Sequence, residues 1–148
     1  MRQKGDFLNA IRLYSEEITK EGSLADTGLY FARGETYFQM KEYEKAIESY
    51  SVASSKNPSD PSASLQLAYC WYKLGDYRKA RIDLRDSMRI SPTINARCLS
   101  GLLHAREGKK EEALAELNDC CKKDNASYLT SEQLTEAQKT IVLLQRTK

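Results

Sequence analysis

Apolar residues recur at helical spacing from one end of this chain to the other. Phe7, Ala10, Ile11, Tyr14 and Ile18 fall three and four positions apart within residues 6 to 20, and Leu134, Ala137, Ile141 and Leu144 do the same near the other end. That spacing gathers each set on one face of an α-helix and leaves polar residues on the opposite face. No stretch alternates with the period of two that a half-buried strand requires. Over the helical pattern lies a longer rhythm. Lys41-Glu42-Tyr43-Glu44-Lys45-Ala46, Gly75-Asp76-Tyr77-Arg78-Lys79-Ala80 and Gly108-Lys109-Lys110-Glu111-Glu112-Ala113 are variants of one motif, preceded by Gly5-Asp6-Phe7-Leu8-Asn9-Ala10. The alanines at 10, 46, 80 and 113 are separated by 36, 34 and 33 residues. This period is too long for a heptad and right for a stacked helical hairpin.

Around each alanine, small and large residues occupy repeating offsets. Residues 27–60 carry Tyr30, Gly34, Tyr37, Ala46, Tyr50, Ala53 and Pro58; residues 61–93 carry Leu67, Ala68, Trp71, Gly75, Tyr77, Ala80, Leu84 and Pro92; residues 94–127 carry Gly101, Gly108, Ala113 and Leu117. A small residue on the first helix of each pair (Gly34, Ala68, Gly101) lets the alanine of the second helix approach closely, and the large residues fill the remaining volume. Gly75-Asp76 makes the turn between helices, and Pro58 and Pro92 end second helices because proline cannot continue the hydrogen-bond ladder.

These residues at these offsets resemble tetratricopeptide repeats over most of the chain. There are departures from the family pattern: Ser64 and Ser87 in residues 61–93, and His104, Cys120 and Asp124 in residues 94–127, stand where an aromatic, an alanine or a proline is usual. The resemblance implies an all-α fold, a right-handed superhelical array of helix-turn-helix repeats with a C-terminal capping helix. Residues 1–26 read as a partial repeat consisting of a second helix only, 27–60 and 61–93 as repeats, 94–127 as a divergent repeat and 128–148 as the capping helix, started by a capping box at Thr130 and Gln133. The stripe from Phe7 to Ile18 then needs cover, because repeat arrays normally close each end with a polar face. The next repeat, upstream residues or another chain would supply it, and the reading favours a fragment of a longer array or a subunit completed by its partner.

Composition narrows the function classes. With 148 residues, 41% apolar and 30% charged, the chain is one ordinary helical domain, and 23 basic against 21 acidic residues give a net charge of +2. That balance offers no bulk attraction to nucleic acid or to a membrane. No apolar run is long enough to span a bilayer and residues 1 to 20 lack a signal-peptide core, so a soluble intracellular, cytoplasmic protein is expected. Cysteines 70, 98, 120 and 121 form no Cys-x-x-Cys pair, and His104 is not at ligand spacing from them; they read as structural thiols, His104 as a packed histidine, and no metal or cofactor is expected. Asn125-Ala126-Ser127 is a sequon that stays unmodified without a secretory signal. No nucleophile with its base and no phosphate-binding glycine loop is present, which argues against an enzyme.

In this family the first helix of each repeat lines a concave surface. The resemblance therefore assigns a partner-binding groove to Phe31, Glu35, Phe38 and Gln39, to Leu65, Gln66, Tyr69, Tyr72 and Lys73, and to Leu99, Leu102, Ala105 and Arg106. As assigned, the groove is mostly aromatic and aliphatic and would suit a partner helix or an extended apolar peptide. The expected function is a protein interaction scaffold or adaptor, or alternatively a structural subunit of a larger assembly. Chaperone-binding members hold a peptide's carboxylates with lysine, asparagine and arginine; the corresponding positions here are Phe31, Glu35, Gln66, Asn95 and Leu99, which make no such clamp. A second candidate surface is Arg78, Arg81, Arg85 and Arg89, spaced along one face of a second helix, which could hold an acidic partner or RNA.

Overall fold

Five helices of this protein start where an aspartate or threonine takes up a free backbone N–H. The computed structural model describes residues 3–147. Its helices are α1 (Lys4–Glu21), α2 (Thr27–Gln39), α3 (Tyr43–Lys56), α4 (Pro61–Leu74), α5 (Tyr77–Ile90), α6 (Ile94–Arg106), α7 (Lys110–Cys120), α8 (Lys123–Ala126) and α9 (Ser131–Arg146), with a 3-10 turn at Gly22–Leu24 after α1. No strand occurs among the described residues. Asp26, Asp60, Asp76, Thr93 and Thr130 accept from the backbone N–H groups of Gly28, Ser62, Lys79, Ala96 and Gln133. Each bond satisfies one of the donors that a helix start leaves open. At Thr130 the Gln133 side chain returns the bond, completing the predicted capping box. Pro61 opens α4, where a missing N–H costs nothing.

One turn is built three times. Lys41, Gly75 and Gly108 take the left-handed conformation, with φ of 62°, 83° and 77°. In each case the next residue donates back across the helix end, Glu42 to Tyr37, Asp76 to Trp71 and Lys109 to His104, all at 2.9 Å. This is the glycine-terminated closure of a helix, and Lys41 adopts it without being glycine. The proline positions behave alike: α3 ends at Lys56 and α5 at Ile90, each two residues before its proline.

The chain divides into two compact units at residues 83 and 84, within α5. In the first unit α2 packs against α3, α3 against α4 and α1 against α2. Gly34 is the closest approach: a Cβ there would lie 2.8 Å from the Tyr50 ring. Ala46, Tyr50, Leu67 and Cys70 form the buried cluster, flanked by Phe31, Tyr37, Phe38, Tyr43 and Ile47. Arg33 ties three helices together, donating from Nε to Ser49 of α3 at 3.0 Å and from Nη1 to Ser15 of α1 at 3.2 Å.

In the second unit α6 pairs with α7 and α9 lies on both. The glycine contact recurs, a Cβ on Gly101 falling 2.8 Å from the Leu117 side chain. Ala137 is fully buried, and Asn95 of α6 donates to Gln133 of α9 at 3.2 Å. The short α8 was not expected from the sequence; Asn125 holds it to the end of α7 by donating to the Asp119 carbonyl at 2.8 Å. His104 is half-buried and meets Glu116 of α7 through Nδ1, so it packs between the paired helices. The cysteines are free, with Cys70, Cys98 and Cys120 buried and Cys121 partly exposed.

Candidate functional site

The side chains of α2 divide by helical spacing among three tasks. Phe31, Gly34 and Phe38 turn toward α3, with Phe31 edge-on to Tyr50 at 5.4 Å and Phe38 edge-on to Tyr43 at 5.3 Å. Arg33 bridges α1 and α3. Ala32, Glu35, Thr36 and Gln39 are left for a third face, and there the helix meets Phe7 and Tyr14 of α1 across a cleft of about 420 Å³. Phe7 and Tyr14 are seven residues apart, so the cleft follows α1 for about two turns, or about 10 Å. Its α1 wall is aromatic and its α2 wall is polar. Burial raises the Glu35 carboxyl above the usual carboxylate range, and no basic group among the described residues pairs with it. Thr36 is buried and spends its hydroxyl on the Ala32 carbonyl at 2.9 Å.

The apolar groove expected from the sequence is not what the first helices present. Leu99 and Leu102 are 0% and 1% exposed, and Tyr69 and Tyr72 are 4% and 6% exposed. α6 is covered by both α7 and α9, which takes Leu99 and Leu102 out of solvent. Tyr72 packs on Tyr77, ring centroids 5.8 Å apart, instead of facing a ligand. Phe31 and Phe38 are half-buried in the α2/α3 contact. Glu35, Gln39 and Arg106 are exposed, and Leu65, Gln66, Lys73 and Ala105 are partly so. In the first unit the exposed residues of α2 and α4 include the polar Glu35 and Gln39 together with the apolar Leu74, and Leu65, Gln66 and Lys73 are partly accessible.

Of the arginines on α5, Arg78, Arg85 and Arg89 are exposed and Arg81 is partly buried. Arg89 lies 3.7 Å from Asp86 on its own helix, an ordinary pair on a solvated face. The Cys70, Cys98 and Cys121 thiols are held in their neutral form, whereas Cys120 is lowered by its hydrogen bond with Cys98. Burial pushes Cys70 up to about 12, and Cys98 is raised by its hydrogen bond with Cys120 and by burial. Among the described residues no group of His, Cys, Asp and Glu could hold a metal ion, and no helix is long and apolar enough to cross a membrane.

The α1/α2 cleft was not singled out from the sequence, although its signal was there. Tyr14 follows Ala10 by four residues, as Tyr50 follows Ala46 and Leu117 follows Ala113. Tyr14 is thus the counterpart of the residues that sit on Gly34 and Gly101.

Comparison with known proteins agrees with this architecture. A family model described as TPR repeat matches residues 34–75, and one described as tetratricopeptide repeat matches residues 62–92. Among curated relatives, the tetratricopeptide repeat and J domain-containing co-chaperone DNJ1 of Cryptococcus neoformans is 30% identical over 113 residues, 75% of this chain and 21% of that protein. The outer dynein arm-docking complex subunit 4 of Danio rerio is 39% identical over 51 residues, 34% of this chain and 10% of that protein. The chain thus spans between a tenth and about a fifth of the length of these relatives. Among solved structures, a tetratricopeptide repeat protein from Parabacteroides merdae superposes with a TM-score of 0.75 at 18% identity, covering 94% of this chain and 54% of that one. The first repeat domain of Spaghetti (RPAP3), solved with the HSP90 peptide SRMEEVD, superposes with a TM-score of 0.65 at 20% identity, covering 80% of this chain and 93% of that one. At these identities the superpositions speak for the fold alone. The matched stretch begins at the Gly34 on which Tyr50 is seated and runs through the turns at Lys41 and Gly75 to Pro92, and it places the chain in the tetratricopeptide-repeat family.

Proposed function

We propose that this chain is a protein-interaction module, a scaffold rather than an enzyme, that holds a helix or peptide segment of a partner on side chains presented by its first helices. The observation that carries this reading is the rigidity with which those helices are held. Gly34 is closed onto Tyr50, Arg33 is bonded to α1 and α3, and the polar groups Glu35, Gln39, Gln66 and Lys73 ride on that frame with partial or full exposure. A preformed surface spends little ordering entropy on binding. The likeness in fold to a repeat domain solved with a bound peptide supports the same reading.

The chemistry of these positions selects the partner. The peptide in that relative, SRMEEVD, is acidic, whereas here the accessible polar positions on the first helices of the first unit carry Glu35, two glutamines and a single lysine. An acidic tail would meet Glu35 and lose affinity through like-charge repulsion. A neutral or basic segment is the better match. Fluorescence anisotropy tests this with labelled SRMEEVD and with segments selected from a displayed peptide library. Neutral or basic segments are expected to bind with Kd on the order of 1 to 100 μM, to weaken at least tenfold when Gln66→Ala and Lys73→Ala are combined, and to leave SRMEEVD without saturable binding. Saturable SRMEEVD binding that Lys73→Ala removes, or a library that yields no binder, overturns the reading.

A further inference from the structure

We infer that Cys98 of α6 and Cys120 of α7 are a redox modification site, a dithiol that a peroxide closes into an intramolecular disulfide stapling the two helices together. This chemistry is independent of which segment the chain binds.

The register of the repeats places both thiols at core positions. Cys120 follows Ala113 by seven residues, as Ala53 follows Ala46 and Ser87 follows Ala80. Cys98 precedes Gly101 by three, as Phe31 precedes Gly34 and Leu65 precedes Ala68. The two earlier repeats hold a large apolar residue on the first helix and a small one on the second, whereas residues 94–127 hold a thiol at both positions. Packing of α6 on α7 brings the two together within the second unit. Cys120 Sγ donates to the Ile94 carbonyl at 3.6 Å, which lies one helical turn before Cys98 and is the acceptor for the Cys98 amide in the α6 ladder. The thiols are hydrogen-bonded to each other, and both residues are 0% exposed. Closing the bond draws the sulfurs from that contact to about 2.05 Å.

Position decides which thiol reacts first. Cys98 lies inside α6, under both α7 and α9, whereas Cys120 is the last residue of α7, where a helix opens most readily. The hydrogen bond from Cys98 also lowers the Cys120 thiol toward the thiolate, which is the nucleophilic form. The Cys120 thiolate attacks one oxygen of hydrogen peroxide, the O–O bond breaks, and Cys120 becomes a sulfenic acid while the other oxygen leaves as hydroxide and takes up the proton that the thiol released. The Cys98 sulfur then attacks the sulfenic sulfur, the S–O bond breaks, and water leaves with the Cys98 proton. Two thiols lose two electrons and two protons, and one peroxide becomes two waters. Cys121 is the poorer partner for Cys120 although it is partly exposed. Sequence neighbours have Cα atoms about 3.8 Å apart, short of the roughly 4.4 to 6.8 Å that disulfides span.

The probe is hydrogen peroxide, added in small molar excess to the reduced full chain. Remaining thiols are then blocked with iodoacetamide, and tryptic fragments are mapped by mass spectrometry. The protein is expected to lose two hydrogens without dimerising, with the fragment 98–106 joined to the fragment 111–122 and the two released by dithiothreitol. The link should persist in Cys121→Ser and vanish in Cys98→Ser and in Cys120→Ser. Because Cys121 is partly exposed, Cys121→Ser separates the adjacent thiols even if a serine at either buried position unfolds the chain. The oxidised protein should melt about 5 to 10 °C above the reduced one, since the bond constrains the unfolded chain between the two helices. A link that survives Cys120→Ser or is lost in Cys121→Ser overturns the inference, because Cys121 would then be the partner. So does a covalent dimer, sulfinic acid in place of the link, or an oxidised protein that melts no higher than the reduced one.

Discussion

Glu35 is exposed on α2, yet part of its carboxyl is withdrawn from water, enough to raise it above the usual carboxylate range. Because burial raises its folded-state value above that of the unfolded chain, the folded protein resists losing that proton. Above both values the charged form is disfavoured by folding; below the unfolded value, about 4.3, the carboxyl is neutral in both states and the cost vanishes. Glu35→Gln should therefore melt at a higher temperature than the parent at pH 7, with the gap closing as pH falls below about 4. Melts followed by circular dichroism at several pH values check this, and a gap that is independent of pH would mean that the carboxylate is not the cause. At this scale the sequence was readable where packing repeats and unreliable where rotation decides. Tyr50, Leu117, Ala46 and Ala113 are buried as the repeat pattern requires. Leu99, Leu102, Tyr69 and Tyr72 were assigned to a ligand surface and are core. Each residue turns a helix by about 100°, so an error of one position exchanges a groove for a core, and only the second cover of α6, by α9, settles the matter there.

Turns and close approaches belong to the scale of the element. Lys41 adopts the left-handed geometry that Gly75 and Gly108 adopt freely, and it makes the same backbone bonds. A side chain there costs about 1 kcal/mol, partly offset by the greater flexibility of glycine in the unfolded chain. Lys41→Gly should accordingly stabilise the protein by up to about 0.6 kcal/mol, read as a shift in denaturant midpoint at unchanged slope. The opposite sign is expected at Gly34. Alanine gains about 1 kcal/mol of helix propensity over glycine, but its Cβ would meet a rigid Tyr50 ring at 2.8 Å, where overpacking costs about 1 to 3 kcal/mol. Gly34→Ala should destabilise, and so should Gly101→Ala, whose Cβ would meet Cγ and Cδ2 of the fully buried Leu117 at 2.8 Å and Glu116 Cβ at 3.2 Å. Thermal melts of the two variants check this, and a variant that melts at or above the parent would count against overpacking at that glycine. Helix existence was legible from the apolar period, and the start of α9 from the capping box at Thr130 and Gln133. α8 was not, since four residues carry no period, and its position depends on the Asn125 bond to Asp119.

Stability in a repeat protein is built from each helix pair and its contacts with the next, so it need not be uniform along the chain. α1 contributes no buried residue, whereas α6 buries Ala96, Cys98, Leu99, Ser100, Gly101, Leu102 and Leu103. The alanine period showed that the chain is an array of hairpins and that the Phe7 to Ile18 face is short of cover; it marks Tyr14 on the α1 wall of the cleft, but not the α2 wall, which lies on a third face of α2 on which the period is silent. Hydrogen exchange joins these observations. Amides of residues 4–21 should exchange well before those of α3 and α6, because opening α1 breaks its contact with α2 and the Ser15 bond to Arg33 while exposing little core. A partner segment held on α2 changes this order selectively: at a free concentration of 100 Kd it adds about 2.7 kcal/mol to any opening that destroys the site, a slowing of about 100-fold. That protection should fall on α1 and on the turns of α2 that bear Ala32, Glu35, Thr36 and Gln39, and should leave α6 and α7 as they were. Protection spread evenly over all helices would report global stabilisation instead, and protection confined to α4 would place the segment on Gln66 and Lys73.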